Sequence, residues 1–134
     1  MSYQKKIENK IRCPFEYGLQ VFGGKWKARV LCLLNKYPAL RFSEISQNME
    51  NIADGVLAAT LKDLLEEELV TRTAYNEVPP RVEYSLTEKG LSVAPILKII
   101  CMWSGQYYTP TDGLLSPCRD CEQNLARQQK RVKA

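Results

Sequence analysis

Apolar positions along the chain fall into five helical stripes and one pair of alternating runs. Phe15, Leu19 and Phe22 recur at helical spacing and stop at Gly23-Gly24. Pro14 suits the first position of that helix, with Cys13 as its cap. A second stripe, Val30, Leu31, Leu33 and Leu34, predicts a helix from about Trp26 to Lys36, ended by Pro38. Ser43 is the expected N-cap of a short third helix that turns Ile45 and Met49 inward. Val56, Leu57, Leu61, Leu64 and Leu65 predict a fourth helix over 54–69.

Two β-type runs follow, Leu69 to Tyr75 and Arg81 to Leu86. Between them Asn76-Glu77-Val78-Pro79-Pro80 cannot continue a ladder, so it marks a hairpin tip. Thr87 caps a last helix beginning at Glu88, which Pro95 is expected to kink or restart. Its apolar positions continue through Ile96, Leu97, Ile100, Cys101 and Trp103. Residues 109–117 read as a linker, and 118–134 as a polar, basic tail. Helices followed at once by a two-stranded hairpin make an α+β, mainly α, winged helix-turn-helix. In that arrangement the helix before the hairpin enters the major groove of DNA and the wing lies along the backbone or minor groove.

Length and composition narrow this picture. The 134 residues allow one ordinary domain, and 45% hydrophobic with 25% charged residues is the balance of a folded protein. The chain has no histidine. That removes imidazole acid–base catalysis, Ser-His and Cys-His nucleophiles and imidazole metal sites, and an enzyme is not expected. No cofactor is implied. The polar N-terminus lacks the apolar core of a signal peptide, and the apolar stretch 93–103 is too short to span a bilayer. A cytoplasmic protein with reduced thiols is the expectation, and an odd count of five cysteines argues against a closed disulfide framework.

Nineteen basic and fifteen acidic side chains leave +4, unevenly spread. Residues 1–12 hold four bases and one acid (+3), and 25–41 hold five bases and no acid (+5). Residues 54–68 hold five acids and one base (−4), and 119–134 hold five bases and two acids (+3). Basic segments beside a helix-turn-helix are candidate phosphate-facing surface. The chain accordingly divides into a basic segment 1–12, a winged-helix unit 13–108 and a linker with basic tail 109–134.

Particular residues then sharpen the pattern. Cys13-Pro14, Gly23-Gly24-Lys25-Trp26-Lys27, Arg41-Phe42-Ser43-Glu44-Ile45 and the run from Val78 to Gly90 closely resemble the HxlR-type transcription regulators. The match covers roughly Cys13 to Tyr107. The resemblance implies a homodimer held by its N- and C-terminal helices, binding a palindromic double-stranded operator. It also implies an effector, an oxidant, electrophile or small molecule, with Cys13 where several members carry a sensing cysteine.

Candidate DNA contacts are Lys25 and Lys27 at one helix start, Arg41 and Ser43 at another, Thr60 and Lys62 on the recognition helix, and Arg72 and Arg81 on the wing. Relatives usually expose polar or basic groups on the first turns of the recognition helix. Here the segment offers Asp54, Gly55, Ala58, Ala59, Thr60 and Lys62, which leaves a second reading open: a winged helix that binds protein rather than DNA. Trp26 is expected to anchor the core. Cys13 would feel the positive end of a helix dipole with Arg12 adjacent, which favours thiolate. Cys32 reads as a core hydrophobe, and Cys101 as a buried or seam thiol. Cys118-Arg119-Asp120-Cys121 is a CxxC pair that fits inert thiols, a redox pair or a metal site shared across a dimer.

Overall fold

The structure, a computed structural model, describes residues 11–108. Helix α1 spans Pro14–Phe22, with Pro14 in its first turn and Cys13 as an extended N-cap. Gly23 and Gly24 end it, Gly24 at φ +83°, where a side chain would be strained. Helix α2 spans Lys27–Lys36, one residue after the expected start, because Trp26 stands as its N-cap.

Helix α3 spans Phe42–Met49. Its N-cap is Arg41, which corrects the placement of Ser43. The Arg41 amide donates to the Glu44 carboxylate at 2.8 Å. A carboxylate three residues beyond the cap serves the free amide better than a serine placed two residues too late. Ser43 lies instead in the exposed first turn.

Helix α4 spans Asp54–Glu66, and not to Leu69. Glu68 takes a left-handed conformation at φ 60°. Its amide bonds back to the Leu65 carbonyl at 3.1 Å, and the Leu69 amide to the Leu64 carbonyl at 2.9 Å. This is a helix-ending motif usually built on glycine.

Strands β1, Val70–Tyr75, and β2, Arg81–Leu86, pair antiparallel from Val70 opposite Leu86 to Tyr75 opposite Arg81. A single bridge joins Leu40 to Tyr84, its two backbone bonds 3.0 and 2.8 Å long. It fastens the entrance of α3 to the wing. One residue carries no periodicity, so this link was not legible in the sequence.

Helix α5, Glu88–Gly105, runs through Pro95 as one element and does not restart there. Thr87 caps it as expected, its hydroxyl oxygen accepting from the Gly90 amide at 3.0 Å. The same hydroxyl donates to the Glu68 carbonyl at 2.6 Å, so one side chain joins the end of α4 to the start of α5. Gly90 lies against the Leu69 carbonyl with no room for a Cβ.

The core gathers Val30, Leu31, Leu33, Ile45, Met49, Leu57, Leu61, Leu64 and Leu69, all essentially shut from water. Each such side chain contributes about 1.5–3 kcal/mol on burial. Trp26 packs partly buried at the edge of that cluster, as expected.

Candidate nucleic-acid interface

Helix α4 has two distinct sides. Leu57, Leu61 and Leu64 face the core, while Gly55, Ala58, Ala59, Lys62 and Glu66 form an exposed ridge at helical spacing. Thr60 does not join that ridge. It is 8% exposed, and its hydroxyl donates to the Val56 carbonyl at 2.8 Å. The reading of Thr60 as a base-edge donor is therefore corrected. Its spacing from Leu57 and Leu64 already placed it on the inner stripe, a signal present in the sequence. The ridge keeps small side chains that allow close backbone approach to a groove, with Lys62 as its cation.

Arg41 and Ser43 stand exposed where α3 begins, and the Leu40–Tyr84 bridge sets them beside the wing. The wing does not bring its two arginines together. Arg72 shares a face of the hairpin with Ala74, Val82 and Tyr84, whereas Arg81 shares the other with Tyr75 and Glu83. Arg72 is exposed. Arg81 is half-buried, its guanidinium 4.0 Å from the centre of the Tyr75 ring and 3.1 Å from the Glu77 carboxylate.

The lysines before α2 sit elsewhere. Lys27 Nζ reaches Glu67 Oε1 at 2.6 Å, both side chains largely buried. That ties the start of α2 to the far end of α4. Along the 13-residue helix this is about 20 Å from Asp54. Lys27 is thus held inside the fold by a carboxylate rather than offered to phosphate. Lys25 is exposed and lies over the Trp26 ring at 4.9 Å, with Arg29 over the same ring at 5.1 Å.

Sequence reasoning missed Lys89. Its ammonium donates to the Tyr17 hydroxyl and to the Glu67 carbonyl, each at 2.8 Å, so α1, α4 and α5 meet on one cation. The hydrogen bond to Tyr17 raises the Lys89 pKa above its ordinary value; desolvation opposes it, and the charges of Tyr17, Glu68 and Glu67 add to the rise. A lysine in an exposed first turn has no local signature for partners so distant in the chain.

Cys13 is exposed at the start of α1. Arg12 turns to Glu16, 2.9 Å away, so its charge is shared with a carboxylate rather than reserved for the thiol. Cys32 packs half-buried against the core, and Cys101 is half-buried on α5. Cys118 and Cys121 lie outside the described residues. Among the described residues no group of His, Cys, Asp or Glu is placed to hold a metal ion, and no helix is long and apolar enough to cross a membrane.

The arms contrast with the core. Phe15 is 72% exposed, Leu19 54%, and Ile99 and Trp103 64% each. The helical stripe that holds Phe15 and Leu19 is thus left open by the described residues. Only Val21 of α1 is buried, with Phe22 half-buried beside it.

Residues 21–112 match the model of the HxlR-like helix-turn-helix family. An HTH-type transcriptional regulator of Methanothermobacter thermautotrophicus is 47% identical over 100 residues, which cover 75% of this chain and 76% of that protein. The reduced form of the Bacillus subtilis transcriptional regulator YodB superposes with a TM-score of 0.66 at 31% identity, covering 76% of this chain and 100% of that one. The redox regulator HypR in its oxidized form gives 0.67 at 35% identity, with 73% and 100% covered. These relatives are transcription regulators, and the two solved structures share the winged helix described above. With its helix-turn-helix, two-stranded wing and matching sequence, the chain belongs to the HxlR-like family of helix-turn-helix transcription regulators.

Proposed function

We propose that the chain works as a cytoplasmic homodimer that reads a two-fold symmetric operator and responds to oxidants or electrophiles through Cys13. The observation that carries the DNA-binding part is the Leu40–Tyr84 bridge. It joins the entrance of α3, which carries Arg41, to the wing, which carries Arg72 and Arg81, the segments on either side of α4 in the chain. Arg41, Ser43, Arg72 and, at the wing tip, Arg81 make phosphate contacts, and Lys62 projects from the exposed ridge. Lys25 adds charge at the margin. Thr60 and Lys27 take no part, because both are engaged inside the fold. Residues 13–108 form the working unit, with 1–12 and 109–134 as basic extensions.

The exposed apolar faces of α1 and α5 support dimerisation, since Phe15, Leu19, Ile99 and Trp103 would otherwise remain in water. Two recognition helices on a two-fold axis then address two half-sites one helical turn apart. Cys13 begins the same helix as Phe15, so its modification acts beside the seam. The likeness to a redox regulator supports this role. A shift of about 1–3 kcal/mol between the two arrangements changes operator affinity about 5–150-fold.

The test is a titration of the reduced protein with its own upstream DNA and with a random duplex across a salt series, repeated after mild thiol oxidation. Tight, salt-sensitive preference for the upstream DNA is the expected result. Cys13→Ser keeps that binding and loses the response to oxidant. A serine variant that still responds removes Cys13 as sensor. No preference at any salt supports the second reading, in which the small-residue ridge of α4 meets a protein partner.

A further inference from the structure

The tip of the wing is internally compensated. Arg81 has one face of its guanidinium on Tyr75, its ring centre 4.0 Å away, and Nη2 on the Glu77 carboxylate at 3.1 Å. Its Nε is shut from solvent and lacks an acceptor. Glu77 is itself fixed by the turn, its amide donating to the Tyr75 carbonyl at 2.9 Å. Tyr75 stands directly opposite Arg81 in the ladder, so these contacts follow from the strand register. From Tyr75 to Arg81 the tip carries one base and one acid, and no net charge.

From this geometry, and resting on the DNA-binding reading above, we infer that Glu77 is a latch. In the free protein its carboxylate occupies the donor edge of Arg81 that a DNA phosphate would take. Tyr75 keeps the guanidinium in place beneath it. On DNA the phosphate displaces Glu77, and Arg81 exchanges one anion for another. The exchange holds the wing's contribution down on every duplex alike, because a phosphate contact carries no sequence information. Glu77 is a positioning residue. It acts through Arg81 and not by touching the nucleic acid.

The experiment compares four full-length proteins: the wild type, Glu77→Gln, Arg81→Ala and the double variant. Each is titrated with a random duplex and with the upstream DNA over a salt series. Releasing this ion pair, in which Glu77 is exposed and Arg81 half-buried, is expected to tighten binding about threefold. The log–log slope of the salt dependence should stay nearly the same, because both proteins bind with Arg81 on one phosphate. Both duplexes should gain equally. In the Arg81→Ala background the substitution of Glu77 should have little effect, the signature of coupling between the two side chains. A fifth protein, Glu77→Asp, should retain part of the restraint.

An equal gain from Glu77→Gln with and without Arg81 overturns the latch and leaves Glu77 as an ordinary repelling charge. Unchanged or weaker binding overturns it too, and shows the pair holding Arg81 ready for DNA. If none of the four proteins binds either duplex at any salt, the latch and the DNA-binding reading fall together. Binding by the wild type without coupling removes the latch alone.

Discussion

The helix-turn-helix body and the two terminal helices use the same kind of apolar stripe and meet opposite fates. In α2, α3 and α4 the stripes close on one another, and Val30, Leu33, Ile45, Leu57 and Leu64 have no exposed surface. In α1 and α5 only part of each apolar face finds a neighbour. Val21, Val93 and Leu97 are buried, while Phe15, Leu19, Ile99 and Trp103 face outward. The first stripe specifies the fold of one chain. The second is wider than its neighbours among the described residues cover, and it is the face that the proposed dimer would close. Periodicity records that a face is apolar. It does not record what covers it.

The largest expected effect tests that contrast directly. Replacing Ile99 and Trp103 together by Asp should yield a monomer by light scattering, with the unfolding transition of the body retained. Two linked half-site contacts would then become independent ones, and affinity for a two-half-site operator should fall at least about 100-fold. A double variant that stays dimeric would place the seam elsewhere.

Leu57→Ala is the counterpart in the closed region. Its cavity should cost about 2–5 kcal/mol by chemical denaturation. A loss well under 1 kcal/mol would mean that the α4 stripe packs less tightly than its burial states.

Lys27→Met comes next. It leaves Glu67 largely buried without its cation, and a loss of about 1–3 kcal/mol is expected, between the values for exposed and buried pairs. Operator affinity should be nearly unchanged once stability is allowed for. A strong loss of affinity in a fully folded variant would return Lys27 to the DNA surface.

The smallest effect concerns Lys89. Its folded-state pKa is raised, so its stabilising contribution is complete below the pKa of an unfolded lysine, about 10.4. It is lost as pH climbs through the higher folded value. Lys89→Met should flatten the alkaline part of a stability-against-pH curve and leave its acid side alone. An unaltered alkaline limb would show that the link to Tyr17 contributes nothing measurable.

Local chemistry was enough for much of the chain. Pro14, the Gly23-Gly24 pair, Thr87 and the prolines of the wing each state a backbone requirement within a few residues, and the elements they punctuate lie where those residues say. The short-range signals failed where two of them competed. Ser43 is a good cap, but Glu44 reaches the Arg41 amide and starts the helix earlier. Thr60 is a polar residue on a recognition helix, but the helical repeat carries it to the inner side. Charge was the least legible property. Lys27, Arg81 and Lys89 look alike in sequence, yet one lies on a buried carboxylate, one on a ring and an exposed carboxylate, and one on a hydroxyl and a carbonyl.

The sequence by itself determined the order of elements, the winged helix-turn-helix class, the family and the apolar stripes, because all of these are encoded in periodicity, turn residues and motifs within short windows. Tertiary structure alone decided which cations remain available to DNA, which stripe is left open, and how the entrance of α3 is fastened to the wing. Those outcomes depend on pairings across 40 residues, as for Lys27 with Glu67, or on a single bridge, as for Leu40 with Tyr84. A charge or an apolar side chain acquires its role from its neighbours in space, and spacing along the chain does not name them.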